Sequence, residues 1–221
     1  MALTKYNFNS FDVTSSACTS LGFNASANGF STISATSMIL IKTLTASSSS
    51  TLSFVHGSSD VVLDSTYPVY LFKFINIHPS NDGGVFEFNF SVDSGSNYNV
   101  AKTTTAFRAY HAESDAESQF AYEAGGDLAQ GTGFQMLNLG DLGGDNDQSF
   151  SGTMTLFNPS STTFVKHFTS EANNSRSIDY TYHSFLAGYG NTTSAINAIQ
   201  FKMTSGNIES GEITMFGIVN S

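Results

Sequence analysis

"YPVYLFKFINIHPSNDGGVFEFNFSV", residues 67 to 92, decides the fold class. In its second half Phe86, Phe88, Phe90 and Val92 alternate with Glu87, Asn89 and Ser91. Successive side chains of a strand point to opposite faces, so this period of two reads as a strand with one buried apolar face and one wet face. The first half is patterned differently. Tyr70, Phe72 and Phe74 share one parity, and Val69, Leu71, Ile75 and Ile77 share the other. Both faces are apolar, which predicts a central strand covered on two sides and ended by Pro79.

The same grammar extends along the chain. "DSGS" (93–96) reads as a turn, with "YNVAKTTTAFRAY" (98–110) as the returning strand. "SMILIKTLTA" (37–46) and "TLSFVHG" (51–57) are strands on either side of the serines Ser47 to Ser50. "SFSGTMTLFNPSSTTFVKHFTSE" (149–171) is a strand, a turn at Asn158-Pro159-Ser160 and a second strand, and "IDYTYHSFLAGYG" (178–190) adds another. The terminal stretch "INAIQFKMTSGNIESGEITMFGIVNS" (196–221) reads as a hairpin. Ile199, Phe201 and Met203 alternate with polar residues, as do Ile213 and Met215 on the return. Phe216 and Ile218 then fall on the opposite parity, around Gly217. That predicts a bulge or a close backbone approach there, in a last strand lying inside a sheet.

Residues 111–147 carry a different signal. "HAESDAESQFAYEAGG" (111–126) tolerates a helix, or equally a polar loop followed by a short strand. "GGDLAQGTGFQMLNLGDLGGDNDQ" is glycine-rich and reads as a long excursion over a surface. No repeat of fixed period or linker composition divides the chain, so residues 1–221 are expected to form a single domain, with 1–35 as an N-terminal arm or edge strands. The prediction is an all-β fold: an antiparallel two-sheet β-sandwich, jelly-roll-like, of about 10–13 strands, with phenylalanine-rich inner faces about 10 Å apart.

Composition restricts function. Eight basic residues against eighteen acidic ones give a net charge of −10, with 12% charged residues. Nucleic-acid binding needs clustered Lys and Arg, which are missing. No apolar run approaches the roughly 20 residues of a membrane span, and "MALTKYNFNSF" lacks the apolar segment of a signal peptide. Synthesis in a cytoplasm is the expectation. The one cysteine, Cys18, reads as an apolar filler or surface thiol, and the five histidines are scattered. Sequons at Asn24, Asn89, Asn173 and Asn191 are expected by chance in a chain so rich in Asn, Ser and Thr.

Candidate chemistry is sparse. Asp141, Asp145 and Asp147 in "GDLGGDNDQS" are hard oxygen ligands in a flexible loop, a Ca²⁺ candidate, although the helix–loop–helix calcium pattern fails at Phe150 and Leu156. A solvated acidic loop is the plain alternative. Glu113, Asp115 and Glu117 would share a face if they lay on a strand, an arrangement for glycosidase carboxylates or for a solvated edge. No nucleophile elbow is present, so no catalytic residues are assigned. Sugar-stacking tyrosines are sought at Tyr98, Tyr110, Tyr122 and Tyr189. No cofactor is called for apart from the Ca²⁺ candidate.

The stretch "SFLAGYGNTTSAINAIQFKMTSGNIESGEITMFGI" resembles the C-terminal pattern of β-sandwich virion structural proteins of marine tailed bacteriophages, phages of abundant ocean bacteria. The matching residues are Gly188-Tyr189, Ile196 to Met203, Ser205-Gly206-Asn207-Ile208, Gly211 and Phe216-Gly217-Ile218. The stretches from Tyr67 to Val100, "FRAYHAESD" and "TLFNPSSTTFVKHF" share it, so the resemblance spans roughly residues 60 to 220. It implies a virion component: a capsid decoration or a tail or fibre-tip subunit, contributing to host attachment. Its partners would be copies of itself, a trimer first, and other virion proteins. The family pattern brings no catalytic residues. The lack of coiled-coil heptads or a repetitive shaft favours a compact subunit over a long fibre. A carbohydrate-binding module for cell-surface glycans is the alternative, and a polysaccharide hydrolase the third reading.

Overall fold

The computed structural model describes residues 19–23, 30–34 and 38–219. It is all-β, with fourteen strands among the described residues and no helix, so none is long and apolar enough to cross a membrane. The helical option for 111–126 gives way to a turn and a short strand. Two antiparallel sheets face each other. The large sheet runs β3 (Met38–Thr45), β14 (Ile208–Ile218), β5 (Val69–Pro79), β10 (Phe150–Phe157), β11 (Lys166–Ser175), β12 (Tyr180–Gly190), β7 (Lys102–Ala112) and β8 (Ser118–Tyr122). The small one runs β4 (Leu52–Val55), β13 (Ala198–Met203), β6 (Phe86–Ser91) and β9 (Gln135–Met136). A division of eight and four strands establishes a sandwich but not jelly-roll winding. Within 1–35, β1 (Thr19–Phe23) and β2 (Phe30–Ser34) pair with each other in a sheet of their own. Residues 1–18, including Cys18, lie outside the described residues.

The core is aromatic. Phe54, Phe86, Phe88, Phe90 and Phe201 of the small sheet meet Tyr70, Phe72, Phe74, Phe150 and Phe168 of the large one, all buried. Ring pairs cross the gap: Phe54–Phe72 at 5.6 Å, Phe74–Phe86 at 5.4 Å, Phe74–Phe201 at 5.4 Å and Phe88–Phe168 at 5.1 Å. Most are edge-on or tilted, the geometry that aligns a ring's positive rim with a neighbour's negative face.

The terminal pair is not a hairpin within one sheet. β13 lies between β4 and β6, and β14 between β3 and β5. The connector around Gly206 turns the corner between layers, so Phe201 and Met215 enter the core from opposite sheets. "DSGS" likewise leads from β6 in one sheet to β7 in the other, and the four serines lead from β3 to β4. Two strands on opposed sheets have the same alternation as two neighbours, so the pattern could not distinguish them. The hairpins β7–β8, β10–β11 and β11–β12 do lie within one sheet.

β14 is an interior strand as expected, and the bulge near its end sits in its partner: Met215 pairs Lys42 and Phe216 pairs Leu40, leaving Ile41 extra. Gly217 is a close approach instead, where an added Cβ would lie 2.4 Å from the Tyr67 ring. β5 is central, but only its even face is sealed. Val69 and Leu71 are half-buried and Ile75 is exposed. Asn76, at φ 50, bulges the strand and brings Ile77 round to the buried face.

The largest departure concerns β6. Its polar face is not wet: Glu87, Asn89 and Ser91 are buried together with the phenylalanines, while Val92 is exposed. The glycine-rich excursion causes this. Residues 123–142 fold over the inner side of β7 and β12, where Leu139 packs on Ala106 and Leu186, and Gln135 accepts a 2.8 Å bond from Thr104. Part of the second layer is therefore loop, and it covers what the alternation alone exposes.

Candidate functional site

Opposite the sandwich core, the outer face of the large sheet lacks a covering layer among the described residues. Register places side chains in rows across it, because directly paired residues share a face. One row reads Phe216, Leu71, Thr155, Thr169, Ala187, Thr105. The next reads Lys73, Thr153, Glu171, Phe185, Phe107, Tyr122. Only Lys73 and Glu171 bring charge to these two rows. Phe107 stacks on Phe185 at 4.8 Å, His183 lies 4.1 Å from Phe185, and Phe120 closes on Phe107 at 5.5 Å. Phe120 is 71% exposed. Beside this cluster a depression of about 390 Å³ opens over Gly188, between Thr105, His167, Ala187 and Tyr189.

On the inner side, at the far end of β7 and β12, a second aromatic group is tied down by charge. Tyr110 stacks on Tyr182 at 4.8 Å, with Tyr180 tilted against both. The Arg108 and Arg176 guanidiniums lie over the Tyr182 ring at 5.4 and 5.0 Å. Arg108 pairs with Glu123, and Arg176 with Asp141. The hydroxyls of Tyr110 and Tyr180 donate to Glu117 at 2.6 and 3.0 Å, which holds that carboxyl below its usual value and pushes Tyr110 up to about 12. Tyr110 and Tyr182 cover one face of each other, and the guanidiniums crowd the Tyr182 ring. The group works as a clasp between the excursion and the sheet.

The four tyrosines sought for sugar stacking do not converge. Tyr110 sits in the clasp. Tyr122 and Tyr189 are on the outer face, the former donating to Asp127 and the latter 6.0 Å from His167. Tyr98 is in the connector to β7, its hydroxyl close to Gly95. Tyr189 lines the depression over Gly188. Of the acidic trio, Asp141 is occupied by Arg176 and Ser177, while Asp145 and Asp147 lie in the exposed turn closed by Gln148. Among the described residues no three His, Cys, Asp or Glu side chains come together as a ligand set. Glu113, Asp115 and Glu117 do not share a strand face. They form the turn before β8, with Asp115 at φ 59 bonded to His111.

Sequence reasoning missed the buried polar residues. Lys102 and Lys166 are fully buried, as are Asn89, Gln135 and Asn138. The available signal was parity: Lys102, Thr104 and Ala106 share a face of β7, and that face points inward. No family model, curated protein or solved structure matches the chain.

Proposed function

We propose that this chain is a structural, non-enzymatic subunit of a bacteriophage particle, a capsid decoration or a tail or fibre-tip component that assembles with copies of itself and with other virion proteins. The observation that supports this reading is the outer face of the eight-stranded sheet. It offers several strands' width of threonine, small and aromatic side chains with few charges. Protein interfaces are built around such surfaces: aromatic anchors at the centre and depletion of charge. The small share of charged residues in the chain, 12%, and the resemblance over residues 60–220 point the same way. The test is light scattering on the purified chain, with Phe120→Asp and Phe185→Asp alongside. The wild type is expected to be an oligomer, a trimer first, and the variants to dissociate while keeping the fold. A wild type that stays monomeric at micromolar concentration contradicts assembly through this face.

The depression beside Tyr189 and His167 favours a second reading, a binding module for a cell-surface glycan. A ring face, an imidazole and threonine hydroxyls meet there on an open surface. Binding on a broad glycan array that Tyr189→Ala abolishes supports it, and no binding across the array counts against it.

A further inference from the structure

Two side chains of complementary reactivity meet in the buried interior. Asn89 of β6 and Lys102, the first residue of β7, are both fully buried. Lys102 Nζ donates to Asn89 Oδ1 at 2.5 Å and to the Val100 carbonyl at 2.9 Å. Oδ1 is one carbonyl bond from Cγ, so Nζ lies at most about 3.7 Å from the carboxamide carbon, close to the distance of reactive approach. Among the described residues no carboxylate is within ion-pair distance of Lys102; Glu87, the carboxylate of β6, pairs with Lys202 at 3.1 Å. Burial disfavours the ammonium and brings Lys102 down to about 7, with only the charge of Glu87 opposing. A buried neutral lysine amine is a nucleophile.

The amide is set up to be attacked. The Phe90 backbone N–H donates to Oδ1 at 2.9 Å, where negative charge gathers as Cγ becomes tetrahedral. Nδ2 faces three carbonyl oxygens, those of Tyr98 at 2.7 Å, Thr132 at 3.0 Å and Gly133 at 3.2 Å. An amide nitrogen has two hydrogens for these three acceptors. A leaving nitrogen that has gained a proton has three. The pocket thus suits departing ammonia better than the resting amide, which is the direction of preference that promotes a reaction.

We infer that Lys102 and Asn89 form an intramolecular isopeptide bond, Nζ to Cγ, joining the two sheets covalently. The lone pair of neutral Nζ forms the bond to Cγ, a proton passes from Nζ to Nδ2, the Cγ–Nδ2 bond breaks, and ammonia leaves. An amine and a primary amide become a secondary amide and ammonia. Nothing is oxidised or reduced, and no co-reactant enters. The product ties β6 of the small sheet to β7 of the large one, so the layers cannot separate there even when the non-covalent core melts. This inference is independent of the proposed role in a particle.

The test is intact mass of the denatured full chain, with peptide mapping. The expected result is a mass lower than the sequence by one ammonia, and a linked peptide pair containing Asn89 and Lys102. Lys102→Met and Asn89→Ala should each carry the full mass expected for their sequence. Recovery of both residues in separate, unmodified peptides overturns the inference, if it persists after incubation at about pH 9, where Lys102 is neutral. An ammonia loss retained in Lys102→Met also overturns it. The wild-type peptide map decides the matter even where a variant does not fold.

Discussion

Replacing Phe201 with alanine tests the sandwich where its layers meet. The side chain is fully buried, and its ring lies 5.4 to 6.3 Å from those of Phe54, Phe72, Phe74, Phe86 and Phe88. Phe72 and Phe74 belong to the opposite sheet, so the cavity would be walled by two hydrogen-bonded layers that cannot easily collapse into it. Truncating a core phenylalanine costs about 3–5 kcal/mol, with the upper end where the site stays open. The expectation for Phe201→Ala is therefore about 4–5 kcal/mol, and for Phe201→Leu about 1–2 kcal/mol. With a urea slope of about 3 kcal/mol/M for a chain of this size, Phe201→Ala lowers the unfolding midpoint by about 1.5 M at unchanged slope. Phe164→Ala is the control, 68% exposed and expected within about 0.5 kcal/mol of wild type. A Phe201→Ala midpoint indistinguishable from that of Phe164→Ala would refute the packing described.

A chain ending at residue 205 loses β14, the strand that hydrogen-bonds both β3 and β5, and should not fold cooperatively; a sharp thermal transition for it would contradict the topology. Gly217→Ala puts a methyl group 2.4 Å from the Tyr67 ring, and should lower the thermal midpoint by several degrees, about 1–3 kcal/mol, whereas an unchanged midpoint would place that ring elsewhere. Asp93 accepts bonds from Asn97 and Ser91, which bring its carboxyl down to about 2 from 3.8. A lowered acid favours the folded state above pH 3.8, and that contribution fades as pH falls toward about 2. An NMR titration of Asp93 should show the low midpoint and its return upward in Asn97→Ala; a midpoint unmoved by Asn97→Ala would place the cause elsewhere.

The fold class was legible because alternation is a property of the strand itself. Phe86, Phe88 and Phe90 point inward for the reason their spacing predicts. Alternation does not say which sheet a strand joins, so the two ends of a connector look alike whether they are neighbours or face each other across the core. Nor does it say what covers a polar face. Asn89 and Glu87 read as wet because the covering chain, residues 123–142, carries a composition of turns rather than of core. The outer aromatic cluster was hidden for a related reason. Phe107 and Phe185 alternate with small and polar residues such as Ala106 and Ser184, and nothing local shows that the small ones face in. The tyrosines could be found as residue types, but their distribution over two faces depends on register, which is set by partners far away in the chain.

The proposed role in a phage particle is tested most directly by mass spectrometry of particles purified from a lysate in which this chain is present. The account predicts the chain as a stoichiometric component of the intact particle, retained through density-gradient purification. Its presence in the infected-cell lysate together with its absence from the particles would contradict the account.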